Sequence, residues 1–513
     1  MRMQLLKDFT QVYHIDLHGN VRKNPKLSGS THNVFGIQVG VGITIAVRVL
    51  KHSTKKIYYY RVPEDWRKTQ KLAFLQDKQS IAGINWLELQ PDENHTWITE
   101  GLHPEFVTFL PIGSREAKAA HSTSFDRTQV KTLFKLYSQG IQTARDNWMY
   151  DFDRGKLVVK ASNMIETYNA ELSRWLRAGS PKDIDSFVLA DEAKIQWSSR
   201  LKECLARKME AKFDEQAIRN VLYRPFAKRF LYFDSIMTHR QGLFPIIFTT
   251  ASEVENKVIV LTNLGSEKPF MTLATNHIPD YHLVGAGAVA LCFPYYIYNE
   301  NGNSRRENIT DWALSQFQTK YGSEVTKWDV FYYIYAMLHH PQYRERYVEN
   351  LKRDLPHIPL LHRNEAFFAC VSMGKQLMDI HLHYDQAKEY PLKWLENGEV
   401  PFSWRVEKMK LTLDKTAVIV NEGLTLSGVP QECFQYNLGN RSALDWVIDQ
   451  YQVSEDKRSS IISDPNNLDD EEYIVRLVGR VITVSVETVQ LVNQLAQTVK
   501  MEDWMSETVE ENL

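Results

Sequence analysis

A chain of 513 residues is too long for one ordinary hydrophobic core, so two or three domains are expected. Its 43% apolar and 12% aromatic composition excludes an intrinsically disordered protein, because disordered chains are poor in aromatic and branched residues. A formal net charge of -2 excludes a uniformly basic nucleic-acid binder, so any nucleic-acid site must rest on a local patch.

The four cysteines are Cys204, Cys292, Cys370 and Cys433, and they are far apart in the sequence. Their spacing fits neither a paired metal-ligand motif nor a disulfide scaffold, so reduced, buried thiols are expected. The chain has no N-terminal apolar stretch of signal length and no run near the roughly 20 apolar residues of a membrane span. These features predict a cytoplasmic protein.

The first part of the chain has the pattern of the end of an α/β domain. Strands are predicted at Val12–Leu17 and Gly40–Leu50, separated by a polar loop at His18–His32. A helical piece is predicted around Trp66–Asp77. Because a compact α/β fold normally places further βα units before such strands, we expect these strands to form an exposed or partner-seeking sheet edge.

Helical periodicity dominates the next part of the chain, which predicts a helical connector. Its predicted helices are Thr128–Tyr150, Leu157–Arg177 and Lys194–Phe213. A mixed α+β region is predicted to follow. Its predicted strands are Phe230–Phe233, Lys257–Leu261 and Ala288–Tyr298, and its predicted helices are Trp328–His339, Gln342–Arg353 and Val486–Lys500.

Several apparent motifs have simpler explanations. The run Gly285–Ala290 imitates a dinucleotide fingerprint but lacks the strand-turn-helix context, so a loop entering a strand is predicted. The pairs His339-His340 and His381/His383 lack arranged carboxylate or cysteine partners, so surface or capping histidines are predicted instead of a metal site. The common hydrolase and NTPase motifs are absent, whereas a nuclease stays open because its acids and lysine can be scattered.

Two stretches combine basic and aromatic residues in a way that suits nucleic acid. In Tyr137–Phe152, the residues Thr143, Arg145, Asp146 and Asn147 are candidate contacts to phosphates or bases. In Tyr223–Asp234, Tyr223, Arg224, Lys228 and Arg229 place charge beside stacking rings. The segment from Arg200 to Arg240 has ten Lys/Arg and five Asp/Glu, a net charge of +5. Composition alone also allows each stretch to be a solvated face beside a core edge.

Several of these strings, in this order, resemble the Type ISP restriction-modification family. The matching segments are Val12–Asn24, Asn33–Arg48, Tyr137–Phe152, Tyr223–Phe233, Trp328–Leu360, Asn440–Val453, Ile462–Asn467 and Val484–Val492. The resemblance implies the end of a Rossmann-like adenine-N6 methyltransferase sheet at 1–115, a helical connector at 116–222 and a target-recognition domain at 223–513. The implied partner is double-stranded DNA, together with a chain carrying the nuclease, the helicase-like motor and the rest of the methyltransferase.

The chain departs from the family in its catalytic motifs. The Gly-rich loop that binds S-adenosylmethionine and the Asn/Asp-Pro-Pro-aromatic motif that holds the flipped adenine are both missing, and the sequence contains no Pro-Pro pair. Because methyl transfer requires a donor pocket and an extruded base, the chain is expected to hold no cofactor and no catalytic residue of its own.

Three hypotheses remain: a DNA-binding specificity module, one subunit of a split adenine-N6 methyltransferase, and an inert remnant of a truncated gene. For the first, phosphate contacts are predicted for Arg224, Lys228, Arg229 and Arg240 and base contacts for Asn276, His277, Arg305 and Arg306. The two basic-aromatic stretches are expected to lie near each other on a positive face.

Overall fold

The computed structural model describes residues 1–20, 30–50, 54–92, 95–114, 131–249, 256–299, 302, 304–466 and 469–505. Within these residues the chain forms two compact units, Met1–His103 and Pro104–Leu513. Parts of the predicted loop His18–His32 and of the predicted helix Thr128–Tyr150 lie outside the described residues. The division of the chain into three domains after residues 115 and 222 stays a prediction.

The smaller unit is built on a four-stranded sheet in the order β2-β1-β3-β4. Its strands are β1 (Gln11–Asp16), β2 (Gly42–Val47), β3 (Lys56–Arg61) and β4 (Leu87–Leu89), and its helices are α1 (Arg2–Asp8) and α2 (Lys68–Lys78). The core is small and contains Ile15, Leu17, Val34, Val62 and Ile84. Both strands predicted for this region are confirmed.

The predicted sheet edge is confirmed for only one of those strands. β1 pairs antiparallel with β2 and parallel with β3, so the expectation that β1 is exposed is wrong. β2 forms one edge of the sheet, and its Ile43 and Ile45 are 37% and 40% exposed. Because residues two apart lie on the same face of a strand, these side chains present an apolar, β-branched surface beside an open edge.

The larger unit is a mixed α+β structure. Its helices are α3 (Asp146–Met149), α4 (Arg154–Arg177), α5 (Ile184–Phe187), α6 (Ser199–Ala206), α7 (Phe244–Ile247), α8 (Asp311–Tyr321), α9 (Lys327–His339), α10 (Pro341–Arg346), α11 (Val348–Leu351), α12 (Asn364–Leu382), α13 (Ala443–Gln450) and α14 (Tyr473–Thr498). Its strands are β5 (Leu110–Pro111), β6 (Ser138–Gln139), β7 (Tyr150–Asp151), β8 (Ile218–Arg224), β9 (Ala227–Tyr232), β10 (Val258–Thr262), β11 (Thr272–Thr275), β12 (Ile278–Pro279), β13 (Ala290–Pro294), β14 (Tyr296–Tyr298), β15 (Arg305–Glu307), β16 (His357–Ile358), β17 (Lys393–Glu396), β18 (Lys410–Leu411), β19 (Ala417–Ile419), β20 (Leu424–Ser427), β21 (Asn437–Leu438), β22 (Arg441–Ser442), β23 (Ser454–Glu455) and β24 (Ile462–Ser463).

The helix predicted over Thr128–Tyr150 is wrong for its described part. This stretch contains the short elements β6 and α3 and the first residue of β7. Ala144 has a φ of 59°, a left-handed conformation that interrupts a helix. Its backbone is bonded by a distant side chain, since the carboxamide of Asn308 accepts from the Leu136 N–H at 3.0 Å and donates to the Leu136 carbonyl at 2.9 Å. Hydrogen bonds to a distant side chain therefore replace the hydrogen bonds that a helix would form along this backbone.

The helix predicted over Leu157–Arg177 is confirmed as α4. The Asp153 side chain accepts from the Lys156 N–H at 2.9 Å and so caps the helix start. The helix predicted over Lys194–Phe213 exists only as α6, which begins after its N-cap residue Ser198. The Gly285–Ala290 run forms turns that lead into β13, as predicted.

One sheet brings the two basic-aromatic stretches together, and a second sheet contains part of the first stretch. One has the order β12-β8-β9-β7 and joins the Tyr150–Asp151 strand to the hairpin formed by β8 and β9. The other has the order β11-β10-β13-β6, and its central strands β10 and β13 are buried on both faces. The first sheet carries the candidate site, and the second supports it from the core.

Helices α9, α12 and α14 form the core of the C-terminal part of the unit. At Gly374 a Cβ would lie 2.0 Å from the Tyr332 carbonyl oxygen, so only glycine permits the close approach of α12 to α9. The prediction that the histidines here are surface or capping residues is wrong for His339 and His381, which are buried within helices. It is confirmed for His340 and His383, which lie at helix caps, although His340 is buried. Both ring nitrogens of His381 bond within the core, to the Tyr335 hydroxyl at 2.6 Å and the Thr488 hydroxyl at 2.9 Å, whereas His339 and His340 each bond a backbone carbonyl through one nitrogen.

Candidate nucleic-acid interface

The two basic-aromatic stretches contact each other, as predicted, whereas the positive face that they were expected to share stays a prediction. Tyr150 and Leu231 are paired residues of the antiparallel strands β7 and β9. The rings of Tyr150 and Tyr223 lie 4.7 Å apart between centroids, and the Tyr223 hydroxyl donates to Asp146 at 3.0 Å. Burial raises the pKa of the Tyr223 hydroxyl to about 12, so it stays protonated as a donor at neutral pH.

Arg145 is fully enclosed in the protein. Its guanidinium donates to the Gln196 carbonyl at 2.9 Å and also to the Met237 carbonyl and the Ser198 hydroxyl. Burial lowers the pKa of the Arg145 guanidinium to about 10, which still leaves it charged at neutral pH. Every side-chain nitrogen is thus engaged by the protein, and Arg145 ties three segments together.

Thr143 and Asn147 have internal partners as well. Thr143 is buried, and its hydroxyl donates to the Asp146 carboxylate. Asn147 is exposed, and its side chain is hydrogen-bonded to Asp456. Of the candidate contacts in this stretch, Asn147 alone has a side chain that solvent reaches freely.

Arg224 belongs to a buried ion pair. Its guanidinium donates to Asp280 at 2.7 Å, and the Tyr150 hydroxyl donates to the other oxygen of the same carboxylate at 2.8 Å. Burial raises the pKa of the Asp280 carboxyl even beside Arg224, because desolvation opposes its negative charge. Since the charges of Arg224 and Asp280 are matched, this pair is fitted to hold the sheet and not to attract a ligand.

Arg229 differs from these arginines in its partners. Its guanidinium carbon lies 4.3 Å from the ring centre of Phe152 and 4.2 Å from that of Tyr223. Its Nε is buried, and among the described residues no hydrogen-bond acceptor contacts that nitrogen. Burial lowers the pKa of this guanidinium. Arg229 also lines a pocket of about 150 Å³ that is partly open to solvent.

Lys228 and His277 form a second group on the same sheet. The Lys228 ammonium pairs with Asp385 at 2.8 Å. His277 and Asn276 are half-buried beside it, and burial, with Lys228 adding to it, lowers the pKa of the His277 imidazole to about 4. His277 is therefore neutral at physiological pH and offers one donor and one acceptor.

The remaining candidates are exposed and lie on other elements. Arg240 follows β9, and its backbone bonds to Gln142 in both directions, at 2.9 and 3.0 Å. Arg305 and Arg306 lie in the ribbon of β14 and β15, and the Arg305 guanidinium carbon is 4.4 Å from the ring centre of Tyr296. The candidates thus occupy four places: the region of Arg229, the Lys228 group, Arg240 opposite Gln142, and this ribbon.

One surface was missed by the sequence reasoning. Trp394 and Phe402 are 45% and 44% exposed, and their ring centres lie 5.2 and 4.6 Å from that of Trp404. The flanking Lys393 and Lys410 are exposed on strands of the same sheet, which has the order β17-β20-β19-β18. The available signal was the same mixture of lysines and aromatic residues that marked the two other stretches.

No helix in the described ranges is long and apolar enough to cross a membrane. The same ranges contain no group of three or more His, Cys, Asp or Glu residues that could hold a metal ion.

Comparisons with known proteins point to one family. The model of the Type ISP C-terminal specificity domain matches residues 132–477, more than half of the chain. The fold is similar to that of a nuclease-deletion mutant of the Type ISP restriction-modification enzyme LlaGI in complex with a DNA substrate mimic (TM-score 0.79, 30% identity, 96% of this chain and 44% of that one). Comparison with curated proteins gave no match.

Two further structures resemble the chain. One is a DrdV–DNA complex (TM-score 0.80, 30% identity, 98% of this chain and 49% of that one). The other is the ATP-dependent Type ISP restriction-modification enzyme LlaBIII bound to DNA (TM-score 0.82, 27% identity, 96% of this chain and 31% of that one). The chain therefore spans less than half of the length of each of these three proteins.

Proposed function

Because the chain belongs to the Type ISP C-terminal specificity domain family, we propose that it recognises a specific sequence in double-stranded DNA on behalf of a restriction-modification enzyme. The observation that carries this proposal is the family match over residues 132–477. The DNA-bound LlaGI, DrdV and LlaBIII structures, each similar in fold to nearly the whole chain, support it.

The structure narrows the residues that we propose for DNA contact. Arg229 and the exposed Arg240 supply positive charge for phosphates, since phosphate contacts fix the position of a protein on the duplex. Lys228 is assigned to the scaffold, because its charge is paired with Asp385. Base edges are assigned to the half-buried Asn276 and His277 and to the exposed ribbon residues Arg305 and Arg306. Arg145, Thr143 and Arg224 are assigned to the scaffold, because their polar groups bond within the protein.

The test is selection of the full chain against duplexes with a randomised segment. Recovery of one enriched motif is expected, and fluorescence anisotropy with that motif should show tighter binding than with a scrambled duplex. Arg305→Gln with Arg306→Gln should reduce this preference, because a good bidentate base contact discriminates by about 1–3 kcal/mol. Binding that is equal for all duplexes, or no binding at low salt, contradicts the proposal.

We further propose that methylation requires a second chain. The chain lacks the Gly-rich donor loop and any Pro-Pro pair, so it is expected not to bind S-adenosylmethionine alone. The apolar edge strand β2, with Ile43 and Ile45 exposed, supports the alternative in which an N-terminal methyltransferase chain completes an active enzyme. Calorimetric titration with S-adenosylmethionine tests this, and saturable binding to the chain alone contradicts it.

We also place the protein in the cytoplasm. All four cysteines are free thiols buried in the structure, which supports a reducing compartment. Fractionation of cells that express the chain, followed by detection in the cytoplasmic or the exported fraction, tests this location.

A further inference from the structure

A pocket of about 150 Å³, the Arg229 pocket, lies beside the β8–β9 hairpin. Its lining residues are Phe152, Asn220, Lys228, Arg229, Phe230, Tyr451, Pro465 and Tyr473. It is partly open to solvent, so a ligand can enter without unfolding of the sheet. A volume of this size accepts a ligand of roughly benzene size, which includes one phosphate group or one ring.

The charge of the Arg229 pocket is unbalanced. None of the lining residues carries a carboxylate, and Lys228 already pairs with Asp385 at 2.8 Å. Two neighbouring cations are also neutralised, because Arg224 pairs with Asp280 at 2.7 Å and Lys160 pairs with Asp151 at 2.7 Å. Arg229 is different, since no ion pair joins it to a carboxylate within the described ranges.

A buried guanidinium nitrogen without an acceptor, here Nε of Arg229, is costly, because burial removes the water that would satisfy it. The rings of Phe152 and Tyr223 offset part of this cost through their faces, but they accept no in-plane hydrogen bond. Among the described residues no hydrogen bond or ion pair engages the terminal nitrogens of Arg229, so these donors are left to bind a ligand. A planar guanidinium edge matches the oxygens of a carboxylate or a phosphate.

The pocket walls favour a phosphate group as that ligand. Asn220 offers a side-chain amide as a second donor, and the hydroxyls of Tyr451 and Tyr473 are hydrogen-bonded to each other. The aromatic walls shield part of the pocket from water, which strengthens any charge-assisted bond formed against them. The site thus combines one cation, one amide and an apolar lining.

We infer that the Arg229 pocket is a phosphate-binding site, in which the guanidinium of Arg229 and the amide of Asn220 hold the oxygens of one phosphate group. This inference deepens the proposed function and rests on it, because the phosphate that DNA offers is a backbone phosphodiester. A bound phosphodiester would fix the duplex against β8 and β9, next to Asn276 and His277. Free inorganic phosphate has the same chemistry and is the second source.

The experiment uses the full chain and two probes. Thermal unfolding is followed in increasing inorganic phosphate, with sodium chloride at equal ionic strength as the reference. Fluorescence anisotropy measures binding to a duplex. The variants are Arg229→Gln, Arg229→Lys and Asn220→Ala, with Arg207→Gln as the matched control because Arg207 is exposed on the surface.

Phosphate is expected to raise the melting temperature of the wild type and of Arg207→Gln, but not of Arg229→Gln. Arg229→Lys is expected to retain only part of the shift, because an ammonium lacks the guanidinium fork. DNA affinity should fall about tenfold in Arg229→Gln, as expected for one lost charge-assisted bond. Loss of DNA affinity without a response to free phosphate also supports the inference, with the phosphodiester as the source.

Two results separate this inference from the proposed function. If the wild type binds DNA and Arg229→Gln matches Arg207→Gln with both probes, the phosphate site is wrong and the proposed function stands. If phosphate stabilises the protein through Arg229 but no duplex binds, the site stands and DNA recognition is wrong. A melting temperature measured without ligand shows whether each variant is folded.

Discussion

Arg145 and Arg229 lie in two segments that contact each other, yet their donors have different partners. Arg145 donates from all three side-chain nitrogens to groups of the protein, at Gln196, Ser198 and Met237. Arg229 rests on two aromatic rings, and its Nε has no acceptor among the described residues. A buried charge whose donors are used internally is part of the scaffold, whereas one with free donors beside a pocket is available for a ligand.

The largest expected effect on stability belongs to Arg145, the arginine whose donors are all used within the protein. Arg145→Met removes a charged donor from two backbone carbonyls and one hydroxyl that stay buried, so the free energy of unfolding should fall by about 3–5 kcal/mol. Urea denaturation measures the change. The exposed control Arg207→Met should stay within about 0.5 kcal/mol of the wild type. A loss below about 1 kcal/mol for Arg145→Met would remove the distinction between the two arginines.

The buried histidines of α9 and α12 are part of the scaffold, and the effect of their burial on the free energy of unfolding depends on pH. Burial lowers the pKa of the His339 imidazole to about 3 from 6.5, so in acid the unfolded chain takes up the proton first. Stability is therefore full above pH 6.5 and is lost as pH falls below it. Between about pH 7.5 and about pH 5.5 this one residue should account for about 1.4 kcal/mol of lost stability.

His339→Phe keeps an aromatic ring and removes the titrating group, so it should reduce the loss by that amount. Urea denaturation at the two pH values measures it, with His383→Phe as the exposed control. An unchanged loss in His339→Phe would show that another group causes the acid sensitivity.

The third effect is smaller and concerns Arg229 without any ligand. Arg229→Met removes an unpaired buried charge, which stabilises the fold, and also loses the ring contacts, which destabilises it. The free energy of unfolding should therefore stay within about 1 kcal/mol of the wild-type value. A loss as large as that of Arg145→Met would make Arg229 a scaffold residue.

The sequence predicted those helices and strands that are determined by neighbouring residues. The helix Arg154–Arg177 follows from its own periodicity and the Asp153 cap, and the strands β1 and β2 follow from their β-branched alternation. The stretch before Tyr150 could not be predicted in this way, because its bonds come from Asn308, 172 residues away from Leu136.

The same limit applies to the candidate site. The sequence marked both arginine-containing stretches, and the structure brings them together. The sequence alone could not distinguish the role of Arg145 from that of Arg229, because the groups that decide these roles are distant in the chain. Gln196 and Met237 engage one arginine, while Tyr451 and Tyr473 help to form the pocket around the other. The exposed Trp394 surface was missed for a different reason, since its lysines and aromatic residues are more widely spaced.

The smallest expected effect on stability belongs to Arg240, which is exposed beside the hairpin. Its backbone bonds to Gln142 do not depend on the side chain, so Arg240→Gln should leave the free energy of unfolding within about 0.5 kcal/mol of the wild type. If the side chain contacts a phosphate, binding should weaken similarly for every duplex, and the slope of log K against log salt should fall by about one. Anisotropy across salt concentrations measures that slope, and Lys194→Gln is the control, because Lys194 is an exposed cation that is not part of the hairpin. The slope reports the number of released ions and does not depend on fold stability. An unchanged slope with an unchanged fold would therefore remove Arg240 from the interface and leave Arg229 as the phosphate contact.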